Sequence, residues 1–269
     1  MKCDLKDTTF LFLIRLDSIQ RLENLLAVVD YLHQNFETNI HLLEASAYDN
    51  GVIKRLTSNK IRYQYLEDKD PILYKTKYYN KMACEAKTPF LGIWDADVIV
   101  EHGHIEKSIQ FLRTGVADVV YPYNGKALDT GYILRDYYLK KRKINVLKRN
   151  KAKMNLLHDK LLYGCGLFIK KEKFIWAGMD NEIYYGWGNE DFDRFYKYET
   201  LRLNICRTDN CLYHLSHNRQ INSQYRSALF QNISIAELEK TKNSSCDELI
   251  NKINKYRNCF DLKKAFTSR

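Results

Sequence analysis

Proline and glycine are scarce in the sequence, with three and eleven residues respectively among 269. This composition excludes collagen-like chains and linker-rich architectures. No apolar run is long enough to cross a bilayer, and the first residues lack the apolar stretch of a secretory signal. The seven cysteines include no Cys-x-x-Cys pair, which argues against a disulfide framework or a structural zinc site and favours a reducing compartment. We therefore expect a cytoplasmic globular protein.

Basic residues outnumber acidic ones, 43 to 33, which gives a formal net charge of +10. Such a surplus favours an anionic partner: nucleic acid, a phosphorylated small molecule or an acidic lipid surface. Many of the basic residues fall in segment 134–160, which is either a solvated face or a contact surface for an anionic acceptor or a membrane. No RNP, zinc-finger or helix-turn-helix signature is present. We therefore expect no nucleic-acid partner, and the charge allows peripheral contact with the inner face of the cell membrane.

Apolar runs of strand length alternate with segments of helical periodicity over the first hundred residues. Strands are predicted at 9–15, 40–43, 61–66 and 88–94, and helices at 19–32, 50–56 and 74–86. This alternation predicts an α/β fold with a parallel sheet covered on both faces. Ligands bind at the carboxyl ends of the strands in such sheets. Arg15, Glu44 and Asp95 fall at three of these ends, so we expect them to converge on one crevice.

Two carboxylates, Asp95 and Asp97, directly follow the fourth predicted strand. In extended chain, residues i and i+2 point the same way, so both carboxylates would face the crevice. Two anions held together at a strand end repel each other unless a cation lies between them, and oxygen ligands favour Mg²⁺ or Mn²⁺. A turn with solvated acids is the alternative, but the buried strand before the pair favours a metal site.

Aromatic residues and glycines lead into acids over segment 184–195. The apolar spacing predicts a helix that begins near Asn189, with Asn189 as its N-cap and with acids in the first turn that suit the helix dipole. This explanation leaves the Gly-Trp-Gly sequence at 186–188 unexplained. An exposed Trp187 would offer a flat face to a sugar ring, and a carboxylate beside it could accept a proton from a sugar hydroxyl. We expect Tyr185 and Trp187 to bind an acceptor.

His214 and His217 are three residues apart. On a helix or a tight turn, side chains at i and i+3 meet on one side, so both imidazoles could face a metal. Together with the aspartate pair they would complete a shell of nitrogen and oxygen ligands that suits Mn²⁺.

These three motifs occur in the order expected of nucleotide-sugar glycosyltransferases of the GT-A fold. The sequence resembles the catalytic domain of the β-1,4-galactosyltransferases and the related bacterial family 2 enzymes, including chondroitin-polymerase-like ones. Residues 187–191 match the Trp-Gly-Gly-Glu-Asp motif of that family, with Asn189 as the one departure. The resemblance implies a Rossmann-like mixed sheet flanked by helices. The expected divisions are a catalytic domain at 1–233, a nucleotide-binding half at about 8–100, an acceptor and metal half at about 101–220, and a helical tail at 234–269.

The resemblance also implies a role for each matching residue. Asp191 matches the catalytic base, and Glu190 matches its acidic neighbour, which would also contact the acceptor. Asp97, His217 and His214 would hold the metal, with His214 in the place of a methionine ligand. The residues expected to bind the nucleotide sugar, from the resemblance and from the strand ends, are Arg15, Glu44, Lys75, Asp95, Asp97, Gly164 and Trp187.

The implied reaction transfers galactose, N-acetylgalactosamine, N-acetylglucosamine or glucose from a UDP-sugar to a hydroxyl of a glycan or lipid-linked glycan. It would invert the anomeric centre and use Mn²⁺ or Mg²⁺ as cofactor. Phe192 replaces an acid that helps to hold the acceptor in galactosyltransferases. The resemblance therefore does not indicate the identity of the acceptor. The alternatives are a metal-dependent nucleotide-sugar hydrolase with the same ligands, an inactive glycan-binding module and a basic nucleic-acid-binding protein.

Overall fold

The computed structural model describes residues 2–57, 61–219 and 224–255 of the chain. Its strands are β1 Cys3–Ile14, β2 Phe36–Ser46, β3 Arg62–Glu67, β4 Phe90–Trp94, β5 Val98–Ile99, β6 Val119–Tyr121, β7 Ala127–Asp129, β8 Asn155–Leu156, β9 Gly166–Lys170, β10 Ile205–Arg207 and β11 Leu212–His214. Its helices are α1 Ile19–Asn35, α2 Val52–Thr57, α3 Lys75–Glu85, α4 His102–Arg113, α5 Gly131–Lys141, α6 Ile144–Arg149, α7 Lys171–Trp176, α8 Glu190–Thr200 and α9 Ala228–Asn243. Residues 246–255 are also helical.

The central sheet contains seven strands in the order β10-β6-β9-β4-β1-β2-β3. Strands β4, β1, β2 and β3 run parallel, whereas β9 is antiparallel to both of its neighbours, β4 and β6. A smaller sheet has the order β5-β11-β7-β8. The structure thus confirms the predicted α/β class with a mixed sheet flanked by helices. Because β1 and β4 are parallel neighbours, their carboxyl ends lie side by side at one edge of the sheet.

Close packing of three aromatic rings fixes the centre of this sheet. Phe10 lies with its ring centroid 5.3 Å from that of Trp94 and 5.4 Å from that of Phe168, with the rings edge to face. Gly92 lies between them, and a Cβ at this position would be 2.9 Å from Phe168. The ring contacts therefore require a residue without a side chain at 92, and they hold β4 firmly beside β1.

The first strand is longer than the sequence pattern predicts, because it begins at Cys3 rather than at Thr9. Residues 3–5 pair with β2, and the register shifts between Leu5 and Thr9. Exposed and buried side chains alternate before Thr8, and only the later part of the strand is buried throughout. The continuous apolar run therefore marks the buried part of the strand and misses the half-exposed part.

The predicted domain boundary between residues 233 and 234 falls inside a helix. Helix α9 begins at Ala228, where the Ser227 hydroxyl accepts a hydrogen bond from the backbone N–H of Phe230. The hydroxyl of Thr241 in α9 donates to Asp193 of α8 over 2.5 Å. The described part of the predicted tail thus contains the end of α9, which packs against α8, and a second helical segment at 246–255. Residues 256–269 of that tail lie outside the described residues.

The cysteines within the described ranges are free thiols, and they are Cys3, Cys84, Cys165, Cys206, Cys211 and Cys246. Cys259 lies outside the described residues. Within those ranges, the structure contains no helix with the length and apolarity needed to span a bilayer.

Candidate active site

A cleft of about 510 Å³ opens at the carboxyl ends of β1 and β4 and is bordered by the start of α8 and by the small sheet. It brings together most of the residues that the sequence predicts for the site. Those residues are Arg15, Lys75, Asp95, Asp97, Gly164, Trp187, Glu190, Asp191, His214 and His217.

Three ligand-type side chains meet in this cleft. The Oδ2 atom of Asp97 lies 3.0 Å from Nε2 of His217 and 3.9 Å from Nε2 of His214. The three potential ligand atoms all lie within 4.8 Å of one another. A divalent ion with bonds of roughly 2.1 Å to nitrogen and oxygen fits among atoms at these separations. Segments about 120 residues apart in the sequence thus form one cluster.

Hydrogen bonds orient both imidazoles towards that cluster. Nδ1 of His214 donates to a carboxylate oxygen of Asp129 at 2.7 Å, and Nδ1 of His217 donates to the backbone oxygen of Asn218 at 2.9 Å. An imidazole with its only proton on Nδ1 would present the lone pair of Nε2 to a metal ion, which would take the place of the hydrogen bond that His217 donates to Asp97. A carboxylate or carbonyl behind a histidine is the usual outer support of a metal ligand. The donor set is one carboxylate and two imidazoles. It suits Mn²⁺ better than Mg²⁺, which prefers oxygen ligands.

The pairing of the strands explains why His214 and Asp129 lie side by side. His214 is the direct partner of Val98 in β5 on one side and of Asp129 in β7 on the other. Partner residues in neighbouring strands project to the same face of a sheet. The sequence interpretation of the histidine pair as a helix or tight turn is therefore wrong: His214 ends a strand, and His217 follows in irregular chain.

Electrostatics at the cluster favour a charged carboxylate. Burial would raise the pKa of Asp97, but the nearby His214 and the hydrogen bond from His217 outweigh burial and hold the pKa well below its usual range. Burial would lower the pKa of His214, but the charges of Asp97 and Asp129 raise it. The site is therefore electrostatically prepared for a cation.

The aspartate pair lies in a turn rather than in the extended chain that the sequence analysis assumed. The backbone N–H of Val98 bonds to the carbonyl of Asp95, and β5 begins at Val98. Both carboxylates nevertheless line the cleft. Burial raises the pKa of Asp95, against the opposing charge of Lys75, and Asp97 and Asp191 raise it further. The turn therefore aims Asp97 at the histidines and Asp95 towards Lys75.

The first turn of α8 carries the two acids expected to act on the acceptor. The Nζ atom of Lys75 lies 3.2 Å from Oε1 of Glu190. The other oxygen of Glu190 is buried and has no hydrogen-bond partner within the described ranges. Burial raises the pKa of Glu190 to about 7, and Lys75 opposes this shift while Asp191 adds to it. Glu190 thus has one oxygen paired with Lys75 and one buried oxygen without a partner among the described residues.

Two neighbours fix the position of Asp191. Its Oδ1 atom accepts a hydrogen bond of 2.8 Å from Arg194, whose guanidinium also makes two bonds, of 2.7 and 2.8 Å, to the buried Asp180. Its Oδ2 atom lies over Gly164, where a Cβ would be only 2.1 Å away. The carboxylate is therefore held between a clamped arginine and a backbone position that tolerates no side chain.

The residue at the start of α8 does not act as the sequence analysis predicted. Asn189 occupies the N-cap position, but its side chain makes no capping bond within the described chain. Instead, its amide donates to the hydroxyl of Ser234 in α9 at 3.2 Å. The helix start is thus anchored to α9 rather than capped locally.

The aromatic residues predicted for acceptor binding separate in the structure. Trp187 lines the cleft, is 38% exposed and packs edge to face against Tyr225, with 5.2 Å between the ring centroids. Tyr185 is absent from the cleft lining among the described residues, and its hydroxyl bonds to Asp70. Phe192 also lines the cleft and packs against Tyr163.

Two residues at strand ends behave differently from the expectation that they bind the nucleotide sugar. Glu44 is fully buried, and its carboxylate bonds to the hydroxyls of Tyr63 and Ser46 rather than facing the described cleft. Glu44 lies within the sheet rather than at its edge, because β2 continues to Ser46. Arg15 does line the cleft, but its guanidinium is bonded to Asp68 and to two backbone carbonyls.

Several residues of the site were missed by the sequence analysis. Asp129 ends a three-residue strand that is too short to give an apolar pattern. Asp180 reaches Arg194 from a loop, so nothing in its local sequence marks it. Arg194 carried a usable signal, because it lies three residues after Asp191 on a predicted helix.

Comparisons with known proteins bear on the fold. No protein-family model matches the sequence, and no curated protein matches it. Among solved structures, the crystal structure of M. tuberculosis glucosyl-3-phosphoglycerate synthase is similar to this chain, with a TM-score of 0.52 and 13% sequence identity. The match covers 87% of this chain and 80% of that protein. It confirms the predicted GT-A fold, while the resemblance to galactosyltransferases and chondroitin-polymerase-like enzymes stays a prediction.

Proposed function

We propose that this protein is a metal-dependent glycosyltransferase that takes a sugar from a UDP-sugar and transfers it, with inversion, to a hydroxyl of a glycan or lipid-linked glycan. The observation that carries the proposal is one cleft on a GT-A fold that contains both the Asp97, His214 and His217 cluster and the carboxylate of Asp191. A cation site and a positioned carboxylate are the two parts that a single displacement at an anomeric carbon requires.

On the donor side, Asp97, His214 and His217 would hold Mn²⁺ or Mg²⁺. When bound, the ion neutralises the charge that develops on a departing diphosphate. Lys75 lies close to the acids of α8 and within the same cleft, so we assign it to the sugar or diphosphate of the donor. Asp95 would contact the nucleotide near the ion.

On the acceptor side, Asp191 would remove the proton of the attacking hydroxyl. Its side chain is 28% exposed, so it reaches the cleft, and Arg194 fixes its orientation. The unpaired oxygen of Glu190 would bond a sugar hydroxyl, and Trp187 would pack on a sugar ring. A carboxylate that attacked the sugar would form a covalent intermediate, and a second displacement by the acceptor would then retain the configuration. A carboxylate that acts as a base permits one displacement by the acceptor hydroxyl, which inverts the configuration.

The first experiment is a thermal-shift screen of UDP and of UDP-linked glucose, galactose, N-acetylglucosamine and N-acetylgalactosamine, with Mn²⁺ and with a chelator. UDP-glucose is tested first, because the structurally similar protein is a glucosyl-3-phosphoglycerate synthase. We expect a UDP-sugar to raise the melting temperature only when Mn²⁺ is present. The same shift with the chelator would contradict the assigned ion site.

Two variants separate the assigned roles. Asp97→Ala should abolish Mn²⁺-dependent UDP binding in calorimetry, whereas His158→Ala, at a histidine in the same cleft but outside the cluster, should preserve it. Asp191→Asn should keep UDP binding and lose about a hundredfold in turnover, equivalent to ~3 kcal/mol. Near-normal transfer by Asp191→Asn would remove that residue as the base. Release of UDP without acceptor, at the rate seen with acceptor, would favour a hydrolase.

A further inference from the structure

The outward face of α5 presents large apolar side chains to solvent. Ile133 is 91% exposed, Tyr132 is 50% exposed and Tyr137 is 48% exposed. At 100° per residue these three positions fall within about 140° of one another, so they share one side of the helix. The opposite side is anchored, because the buried Arg135 bonds to Glu23 at 2.7 Å. The exposed face therefore belongs to a helix that is held in place.

Cationic side chains border this apolar face. Lys140, Lys141 and Lys143 are exposed at the end of the helix, and Nζ of Lys141 lies 5.9 Å from the centre of the Tyr137 ring. The acid on the same side, Asp136, is paired with Arg135 at 2.6 Å. Lysines attract anionic lipid headgroups, and exposed apolar and tyrosine side chains beside them can enter the interfacial region of a bilayer.

Helix α5 begins beside the candidate metal site. The backbone N–H of Thr130 bonds to the carbonyl of His214 at 3.0 Å. The hydroxyl of Tyr132 donates to the side chain of Asn218 at 2.7 Å, and the carbonyl of Asn218 supports His217. A surface that covers the outward face of α5 would therefore border the mouth of the cleft.

We propose that the outward face of α5 docks on an anionic lipid bilayer and thereby presents the cleft to an acceptor carried on a membrane lipid. The acceptor part rests on the proposed function, whereas the docking part does not. Charge decides between a lipid surface and a second copy of this chain. A symmetric contact of this face with itself would bring the lysines of two copies together, whereas lipid phosphates complement them.

Flotation with vesicles of phosphatidylcholine, with and without phosphatidylglycerol, tests the docking. We expect the protein to float with the anionic vesicles and to remain behind with the neutral ones. Ile133→Ser/Tyr137→Ser should weaken binding at least tenfold, because burial of such side chains is lost. Lys140→Gln/Lys141→Gln/Lys143→Gln should weaken binding roughly fivefold for each charge removed. The matched control is Val116→Ser, at an apolar residue that is 56% exposed before β6, at the opposite end of the sheet.

Three outcomes would overturn the docking proposal: equal flotation with both kinds of vesicle, no flotation, or unchanged flotation of the α5 variants. A concentration-dependent dimer in sedimentation that the Ile133 and Tyr137 changes abolish would assign the face to a second copy instead. Unchanged melting temperatures show that the variants are folded. Binding of UDP and Mn²⁺ is measured on the same preparations. If flotation fails while this binding is intact, only the docking proposal is refuted. If this binding is lost while flotation is intact, only the proposed function is refuted.

Radiolabelled donor sugar incubated with a total membrane lipid extract tests the acceptor part. We expect the label to enter the organic phase and the α5 variants to reduce that transfer while their UDP binding is unchanged. Transfer to water-soluble acceptors only would overturn the lipid-borne acceptor.

Discussion

Replacing Gly164 with alanine should disable the proposed base while leaving the ion site intact. A Cβ at residue 164 would lie 2.1 Å from Oδ2 and 2.8 Å from Cγ of Asp191, whereas ordinary contacts begin at 3.4 Å. The carboxylate must therefore retreat by roughly 1 Å or more. Its other oxygen is bonded to Arg194, which Asp180 holds in turn, so the retreat strains a fixed pair.

The size of the effect follows from that displacement. Moving a reacting group by about 1 Å typically costs about a hundredfold in rate. We expect the turnover number of Gly164→Ala to fall by roughly this factor. The affinity for UDP with Mn²⁺ should be unchanged, because the Cβ contacts Asp191 and not the three clustered ligands.

The assay is UDP release under saturating donor, with calorimetry of UDP and Mn²⁺ on the same preparations. Gly103→Ala is the matched control, because a Cβ at that position would meet no described atom within 4 Å beyond its chain neighbours and the backbone of its own helix. Near-wild-type turnover of Gly164→Ala would show that the position of Asp191 does not limit the reaction. Equal losses in both alanine variants would show that the effect is not local.

The remaining predictions concern the support of the ion, the clamp on the base and the protonation of Glu190. Asp129→Asn should weaken Mn²⁺ binding about 10- to 100-fold in calorimetry, because Asp129 supports His214. Arg194→Lys should lower the free energy of unfolding by about 3 kcal/mol in urea titration, since a lysine cannot replace the paired bonds to the buried Asp180. Burial raises the pKa of Glu190 to about 7 in the folded chain, so the folded state binds more protons than the unfolded one between about pH 4 and 7. Stability should therefore fall as the pH rises through this window, and Glu190→Gln should flatten the profile of melting temperature against pH.

Each of these predictions has an outcome that contradicts it. Unchanged Mn²⁺ affinity in Asp129→Asn would mean that the hydrogen bond to His214 does not tune the ligand. An unfolding free energy of Arg194→Lys equal to that of wild type would mean that the pair with Asp180 adds nothing. A pH profile of Glu190→Gln that parallels wild type would assign the titration to another group, and Glu239→Gln, at an exposed acid on α9, is the control for a general charge effect.

Much of the fold could be predicted because its signals are local. The run at 88–94 and the periodicity at 19–32 record burial directly, and both elements appear where expected. The end of β2 could not be located in this way, because Glu44 is a charged residue that the sheet buries with two hydroxyl partners. The sequence pattern places Glu44 at a strand end and therefore wrongly predicts that it faces the cleft.

The candidate site could be predicted in part for the same reason. The motifs around Asp97, Asp191 and His217 are short and keep their chemistry wherever the chain places them. The partners of these residues are set by tertiary contacts: Asp129 reaches His214 across 85 residues, and Asp180 reaches Arg194 from a loop. Such partners become visible only when the strands are paired and the loops are in place.

The row of paired residues Val98, His214 and Asp129 belongs wholly to the small sheet, and Asp97 immediately precedes it. Two of the three clustered residues, Asp97 and His214, thus lie in or directly before the small sheet, whereas Glu190 and Asp191 lie on α8. We therefore expect substitutions in the segment before α8 to leave the cluster of Asp97, His214 and His217 in place.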